Sequence, residues 1–125
     1  MLRFDPDVKE FTQYVCMYDF IVKYWEGKYT ITENGEIIGI FLYNSIFDGV
    51  YHVSMIFSSK ATKMQKARSG KMLDFFCDVH NAKRLETESF VSEENRKWHR
   101  YIGFDLEGTK RNVFLGNDID IWGKL

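Results

Sequence analysis

A single mixed α/β domain is predicted by three observations: apolar spacing that switches repeatedly between helical and strand periods, two glycine turns of hairpin type, and a length suited to one core. With 125 residues, 45% apolar and 17% aromatic, the chain can bury a sizeable core as one unit, so residues 1–125 are read as one domain.

The elements follow in order. Asp5-Pro6 predicts a helix start, because Asp caps free amides and Pro at the first helical position gives up no hydrogen bond. Val8, Phe11, Val15 and Tyr18 continue at helical spacing, carrying that helix toward Gly27. From Tyr29 the period becomes two. Tyr29 to Thr32 and Ile37 to Tyr43 form a hairpin across Asn34-Gly35, a pair that accepts the positive φ angles of a type I′ turn. Asp48-Gly49 marks a second turn, after which Tyr51, Val53, Met55 and Phe57 give a third strand with an apolar face. Lys60, Lys63, Lys66, Arg68 and Lys71 then make a basic approach to an amphipathic helix carrying Met72, Phe75, Phe76 and Val79. Arg84 to Phe90 reads as a further strand. Ser92 to Ile102 reads as a helix with a hydroxyl cap, Glu93 and Glu94 in the turn where the dipole favours them, and Gly103-Phe104 as its stop. On this helix Trp98, Tyr101 and Ile102 are expected to face the core, and Ser92, Asn95 and His99 a cleft. Phe104 to Leu125 closes the chain as a hairpin turning near Gly116-Asn117.

Seventeen basic residues against eighteen acidic ones leave a net charge of −1, so no global field draws the protein to nucleic acid or an anionic membrane, and neither is an expected partner. Cys16 and Cys77 are too few for a disulfide framework or metal motif, which fits a reducing cytosol; no metal is expected. The sequence has no long apolar run and no signal-peptide pattern at MLRFDPDVKE, so a soluble, cytoplasmic protein is expected.

The string formed by Arg96, Trp98, Ile102-Gly103-Phe104, Glu107-Gly108, Gly116, Asp118 and Trp122 resembles the C-terminal part of the GNAT family of N-acetyltransferases, and most of all the short GNAT-like proteins of tailed bacteriophages. The likeness covers Ser92 to Leu125 and fits the element order from Tyr29 onward. It implies a GNAT fold, a mostly antiparallel sheet flanked by helices, with acetyl-CoA as donor between the fourth and fifth strands. In the family a Gln/Arg-x-x-Gly-x-Gly/Ala loop holds the pyrophosphate; here Gln65 and Gly70 match it and Arg68 stands at the first glycine. The resemblance therefore puts Gln65, Lys66, Arg68, Ser69, Gly70 and Lys71 around the phosphates, with Asn95 also in the cofactor set. Five basic residues at a helix start, where the dipole opposes them, independently suit a bound anion. The alternative is a helix that starts earlier, capped by Ser59, with those charges on its solvated face.

His99 stands where the family has a Tyr and is the candidate to protonate the departing thiolate; His52 and Glu88, with Glu86 on the same strand face as Glu88, are the candidate bases. The implied activity is direct acetyl transfer to a primary amine on a protein or small molecule, in the host cytoplasm if phage-encoded. A homodimer is left open. The competing reading is a noncatalytic virion or host-interaction protein on the same fold.

Overall fold

The computed structural model describes residues 2–5 and 25–125. The helix expected from Pro6 toward Gly27 falls on residues 6–24 and lies outside the described residues. Among the described residues, seven strands form one sheet in the order β1-β2-β3-β4-β5-β7-β6. They are β1 (Leu2–Asp5), β2 (Gly27–Glu33), β3 (Glu36–Phe47), β4 (Val50–Phe57), β5 (Arg84–Phe90), β6 (Asp105–Phe114) and β7 (Asn117–Lys124). Three helices are described: α1 (Lys63–Ser69) and α2 (Lys71–His80) between β4 and β5, and α3 (Glu93–Tyr101) between β5 and β6. None of the described helices is long and apolar enough to cross a membrane.

Strands β2 and β3 meet at Asn34 (φ 52°) and Gly35 (φ 79°), the two positive angles that a type I′ turn requires. Leu2–Asp5 pairs antiparallel with the far side of β2, a strand that the local pattern did not announce. Every neighbouring pair is antiparallel except β4 and β5.

One face of the sheet carries the main core, where Phe41, Val53 and Leu85 pack under Met72, Leu73 and Phe76 of α2 and against Ile102, Phe104 and Trp122. Ile40 and Leu42 turn to the opposite face, with Trp25 and Ile56 beside them. A register shift opposite Ile31/Thr32 adds a residue to β3, so Ile38 joins Phe41 on the main-core side despite its odd spacing.

Helix α3 ends as its sequence predicts. Gly103 is left-handed (φ 97°), its amide donates to Arg100 O at 3.1 Å, and Phe104 N donates to His99 O at 2.9 Å, the paired bonds of a Schellman cap. The face assignment differs at Tyr101, and Ser92, the exposed N-cap, does not line the cleft described below. Tyr101 is 70% exposed, while His99 and Ile102 are buried, because the inward stripe runs Asn95, Trp98, His99, Ile102 and Tyr101 falls outside this i, i+3, i+4, i+7 series.

Candidate active site

Strands β4 and β5 run parallel but stay in register over only three pairs, Val50↔Arg84, Tyr51↔Leu85 and His52↔Glu86. Past His52 and Glu86 they diverge, although β4 continues to Phe57 and β5 to Phe90. Their outer edges remain bonded, β4 to β3 and β5 to β7, so the two inner edges face each other without a ladder between them. Buried backbone amides and carbonyls need partners, and an extended ligand bearing amides can supply them by adding itself as a strand.

The gap widens into a cleft of about 1040 Å³. Its walls are Val53, Ser54, Met55 and Phe57 on one side and Thr87, Glu88, Ser89 and Phe90 on the other; α3 supplies Asn95, Trp98, His99 and Ile102. Lys63, Lys66 and Ala67 of α1 border it, and Phe41, Leu73 and Phe104 lie at its apolar base. Near α1 the Phe57 and Trp98 rings meet edge to face, centroids 5.6 Å apart, and Lys66 Nζ lies 5.8 Å from the Phe57 centroid.

His99 is held firmly in this wall. Its ring stacks on the fully buried Trp122 at 4.9 Å with planes 12° apart, and Nδ1 lies 2.7 Å from Asn95 O. A carbonyl only accepts, so Nδ1 carries the proton and Nε2 presents a lone pair. Burial pushes the pKa of His99 below the usual histidine value, against the opposing pull of the Asn95 carbonyl and the Asp120 charge. The neutral ring is thus a proton acceptor at Nε2, and the thiolate-protonating role expected from sequence needs the other protonation state.

Beneath it, Asp120 is completely buried and anchors α3 to the sheet. Arg96 Nε and Nη2 donate to its two oxygens at 2.8 and 3.0 Å, and Thr109 Oγ1 donates at 2.7 Å. Arg96 is the main cause of the lowered Asp120 pKa; burial opposes it and Thr109 assists. Trp122 Nε1 donates to Ser89 Oγ at 3.0 Å, tying β7 to the cleft wall.

Of the three catalytic candidates, His99 and Glu88 line the cleft and His52 does not. His52 packs on Trp25 at 5.3 Å, at the last register pair before the strands part. Burial lowers its pKa, with Glu88 and Glu86 pulling it up. Glu86 is engaged by Arg84 Nε at 3.0 Å. Among the cofactor candidates, Lys66 and Asn95 line the cleft. Asn95 Nδ2 donates to Phe90 O at 2.9 Å, fastening α3 to the end of β5.

Of the other five, Gln65, Arg68 and Ser69 lie in α1, Gly70 is the junction and Lys71 opens α2, so they form no open loop. Thr62 caps α1 by a capping box in which Thr62 Oγ1 accepts from Gln65 N and Gln65 Oε1 accepts from Thr62 N. Ser69 is buried, with Oγ donating to Gln65 O at 2.7 Å. Gly70 joins α1 to α2 in right-handed geometry, where a β-carbon would come within 2.9 Å of Ile102 Cγ2. Arg68 turns away to Glu33, which accepts from Nε at 2.9 Å and from Nη2 at 2.5 Å. Lys71 is exposed and borders a smaller cavity of about 340 Å³. The helix starts early, as in the alternative reading, but with Thr62 as the cap in place of Ser59 and with Lys63 and Lys66 bordering the cleft rather than lying on a purely solvated face. The Thr62-x-x-Gln65 signature could have located this start; Lys63, Phe57 and Trp98 as cleft residues depend on it and on the tertiary packing.

No family model matches the sequence, and no curated protein does either. Solved structures do match in fold. The spermidine/spermine N-acetyltransferase of Vibrio cholerae, solved with manganese ions, superposes with a TM-score of 0.79 at 12% identity, covering 98% of this chain and 91% of that one. A GNAT family acetyltransferase from Elizabethkingia anophelis with acetyl-CoA bound gives 0.75 at 13% identity, covering 98% and 97%. A ribosomal L7/L12 alpha-N-protein acetyltransferase in complex with coenzyme A gives 0.74 at 12% identity, covering 99% and 93%. The architecture is that of the GNAT acetyltransferases.

Proposed function

We propose that this protein transfers an acetyl group from acetyl-CoA to a primary amine. The observation that carries the reading is the parting of β4 and β5: two unpaired strand edges facing a cleft whose volume, about 1040 Å³, suits a ligand of coenzyme size. Neighbours of the same fold bind coenzyme A and acetyl-CoA in their own structures, which supports the same donor here. The cleft fits such a donor by chemistry: amide-seeking edges for an extended chain, apolar Met55, Phe57 and Trp98 for its methylenes, and lysines where phosphates would lie.

Bound acetyl-CoA supplies the acetyl group as an activated thioester. Glu88, exposed on the cleft wall, attracts a cationic amine to that end. His99 accepts the proton that the amine must lose, at Nε2, its ring fixed by the Nδ1 bond to Asn95 O and the Trp122 stack. The carbon–nitrogen bond then forms as the carbon–sulfur bond breaks; of the two protons that the cationic amine loses, one goes to solvent, and the one held at His99 Nε2 passes to the departing sulfur, so that coenzyme A leaves as the free thiol. The acceptor is an amine on a protein or on a small molecule.

One observation favours the noncatalytic alternative: Gln65 to Gly70 is helical, and its Gln65 and Arg68 side chains are engaged within the fold. Turnover separates the readings. Incubation with acetyl-CoA and a panel of polyamines, free amino acids and lysine peptides should release free thiol only with an acceptor present, with the acetylated amine found by mass. Acetyl-CoA binding without acetylation of any amine in the panel would count against catalysis.

A further inference from the structure

The cleft lining carries Lys63, Lys66 and Lys97 together with Glu88, Glu93 and Glu94, and among the described residues only Lys97 of these lysines has a carboxylate within ion-pair distance. Lys63 and Lys66 lie one turn apart on α1, on the face that borders the cleft with Ala67. Among the described residues neither has a carboxylate partner, and the first turn of α1 contains no acidic residue. Lys97 of α3 also borders the cleft, from outside the inward stripe of that helix; its contact with Glu93 is 3.6 Å long between side chains 77% and 86% exposed, which holds it weakly. Lys66 Nζ lies 5.8 Å from the centroid of Phe57, whose ring meets that of Trp98 edge to face.

On the neighbouring face of α1 the arrangement is reversed. Arg68, at the position aligned with a phosphate-loop glycine, makes a two-point ion pair with Glu33, and Gln65 closes the capping box. A helix cannot direct residues 63, 66 and 67 and residue 68 to the same place, so capping at Thr62 commits Lys63 and Lys66 to the cleft and Arg68 to the β2–β3 turn.

We propose that the donor's phosphates are held by the side-chain ammonium groups of Lys63, Lys66 and Lys97, and that Gln65 to Gly70 is a structural helix with no phosphate role. This rests on the acetyl-CoA reading and changes which residues carry it. Recognition by exposed point charges is screened by salt, whereas a cradle of backbone amides in a glycine loop carries less of that dependence.

The test is calorimetric titration of the purified full chain with acetyl-CoA, at low and high sodium chloride, for wild type, Lys63→Gln/Lys66→Gln, Lys97→Gln and Arg68→Gln, each checked for fold by circular dichroism. Expected are binding by wild type that weakens with salt, an affinity loss of about tenfold or more in the double lysine variant, a smaller loss in Lys97→Gln, and unchanged affinity with a lower thermal midpoint in Arg68→Gln. Binding by wild type that survives the lysine changes, or that Arg68→Gln abolishes, would overturn the lysine site and leave the acetyl-CoA reading standing. Absence of binding by folded wild type would remove both.

Discussion

Replacing Asp120 by Asn tests whether the buried clamp under α3 holds the catalytic wall. The substitution keeps shape but changes chemistry. Asp120 is fully buried and accepts three hydrogen bonds, two from Arg96 and one from Thr109. An Asn offers one acceptor oxygen and sets an NH₂ against one of the Arg96 donors, so a charge-assisted bond is lost and a half-buried guanidinium donor is left without its acceptor. A cost of about 3 kcal/mol follows for breaking one side of such a pair. For a domain of this size that corresponds to a fall in thermal midpoint of roughly 10 °C. The assay is thermal and urea unfolding at neutral pH, with Arg96→Met/Asp120→Leu as the companion variant; removing both partners should cost less than orphaning one. The pH dependence carries a sign. Arg96 holds the Asp120 carboxyl below its ordinary 3.8, so its contribution is present above that value and lost as pH falls through the lower folded pKa. The gap between wild type and Asp120→Asn should therefore narrow in acid. Equal midpoints at neutral pH, or a gap that widens in acid, would refute the clamp.

Other consequences are separable by assay. In the transfer reaction, His99→Gln should lower kcat by about a hundredfold or more while leaving acetyl-CoA affinity within about twofold, because it removes a proton acceptor and not a phosphate ligand. The same His99 fixes an acid limb: burial depresses its pKa, the neutral form is the active one, and activity should fall only below the usual histidine range, a limb absent from His99→Gln. Gly27→Ala would place a β-carbon about 2.2 Å from the Tyr43 ring, which is wedged among Tyr29, Phe76 and His80, so urea denaturation should register a loss of about 1–3 kcal/mol.

Strands and turns were legible where local chemistry and tertiary packing agree. Asn34-Gly35, the β5 limits and the Ser92 to Gly103 helix all carry their own signals: a positive-φ pair, a bounded run, a hydroxyl cap and a left-handed stop. Leu2–Asp5 was not legible, because a four-residue strand is defined by its partner β2, and Asp5-Pro6 carries a competing helix-start signature. Gln65-x-x-Arg68-x-Gly70 shows a different obstacle. The same glutamine satisfies a phosphate-loop pattern and, three residues after Thr62, a capping box; only the geometry shows which hydrogen bonds it makes. The site divided likewise. Helix spacing put His99 and Asn95 on the cleft side of α3, where both lie, yet the His99 protonation state depends on the Asn95 carbonyl and the Trp122 stack, contacts that no spacing encodes.

The central claim is that an acetyl-CoA molecule lies between β4 and β5, and amide hydrogen exchange with and without saturating acetyl-CoA tests it most directly. Protection concentrated in Val53 to Phe57 and Thr87 to Phe90, the edges that lack a ladder across the cleft, is the predicted result. Exchange unchanged in both segments at saturating acetyl-CoA, or protection confined to another part of the chain, would contradict it.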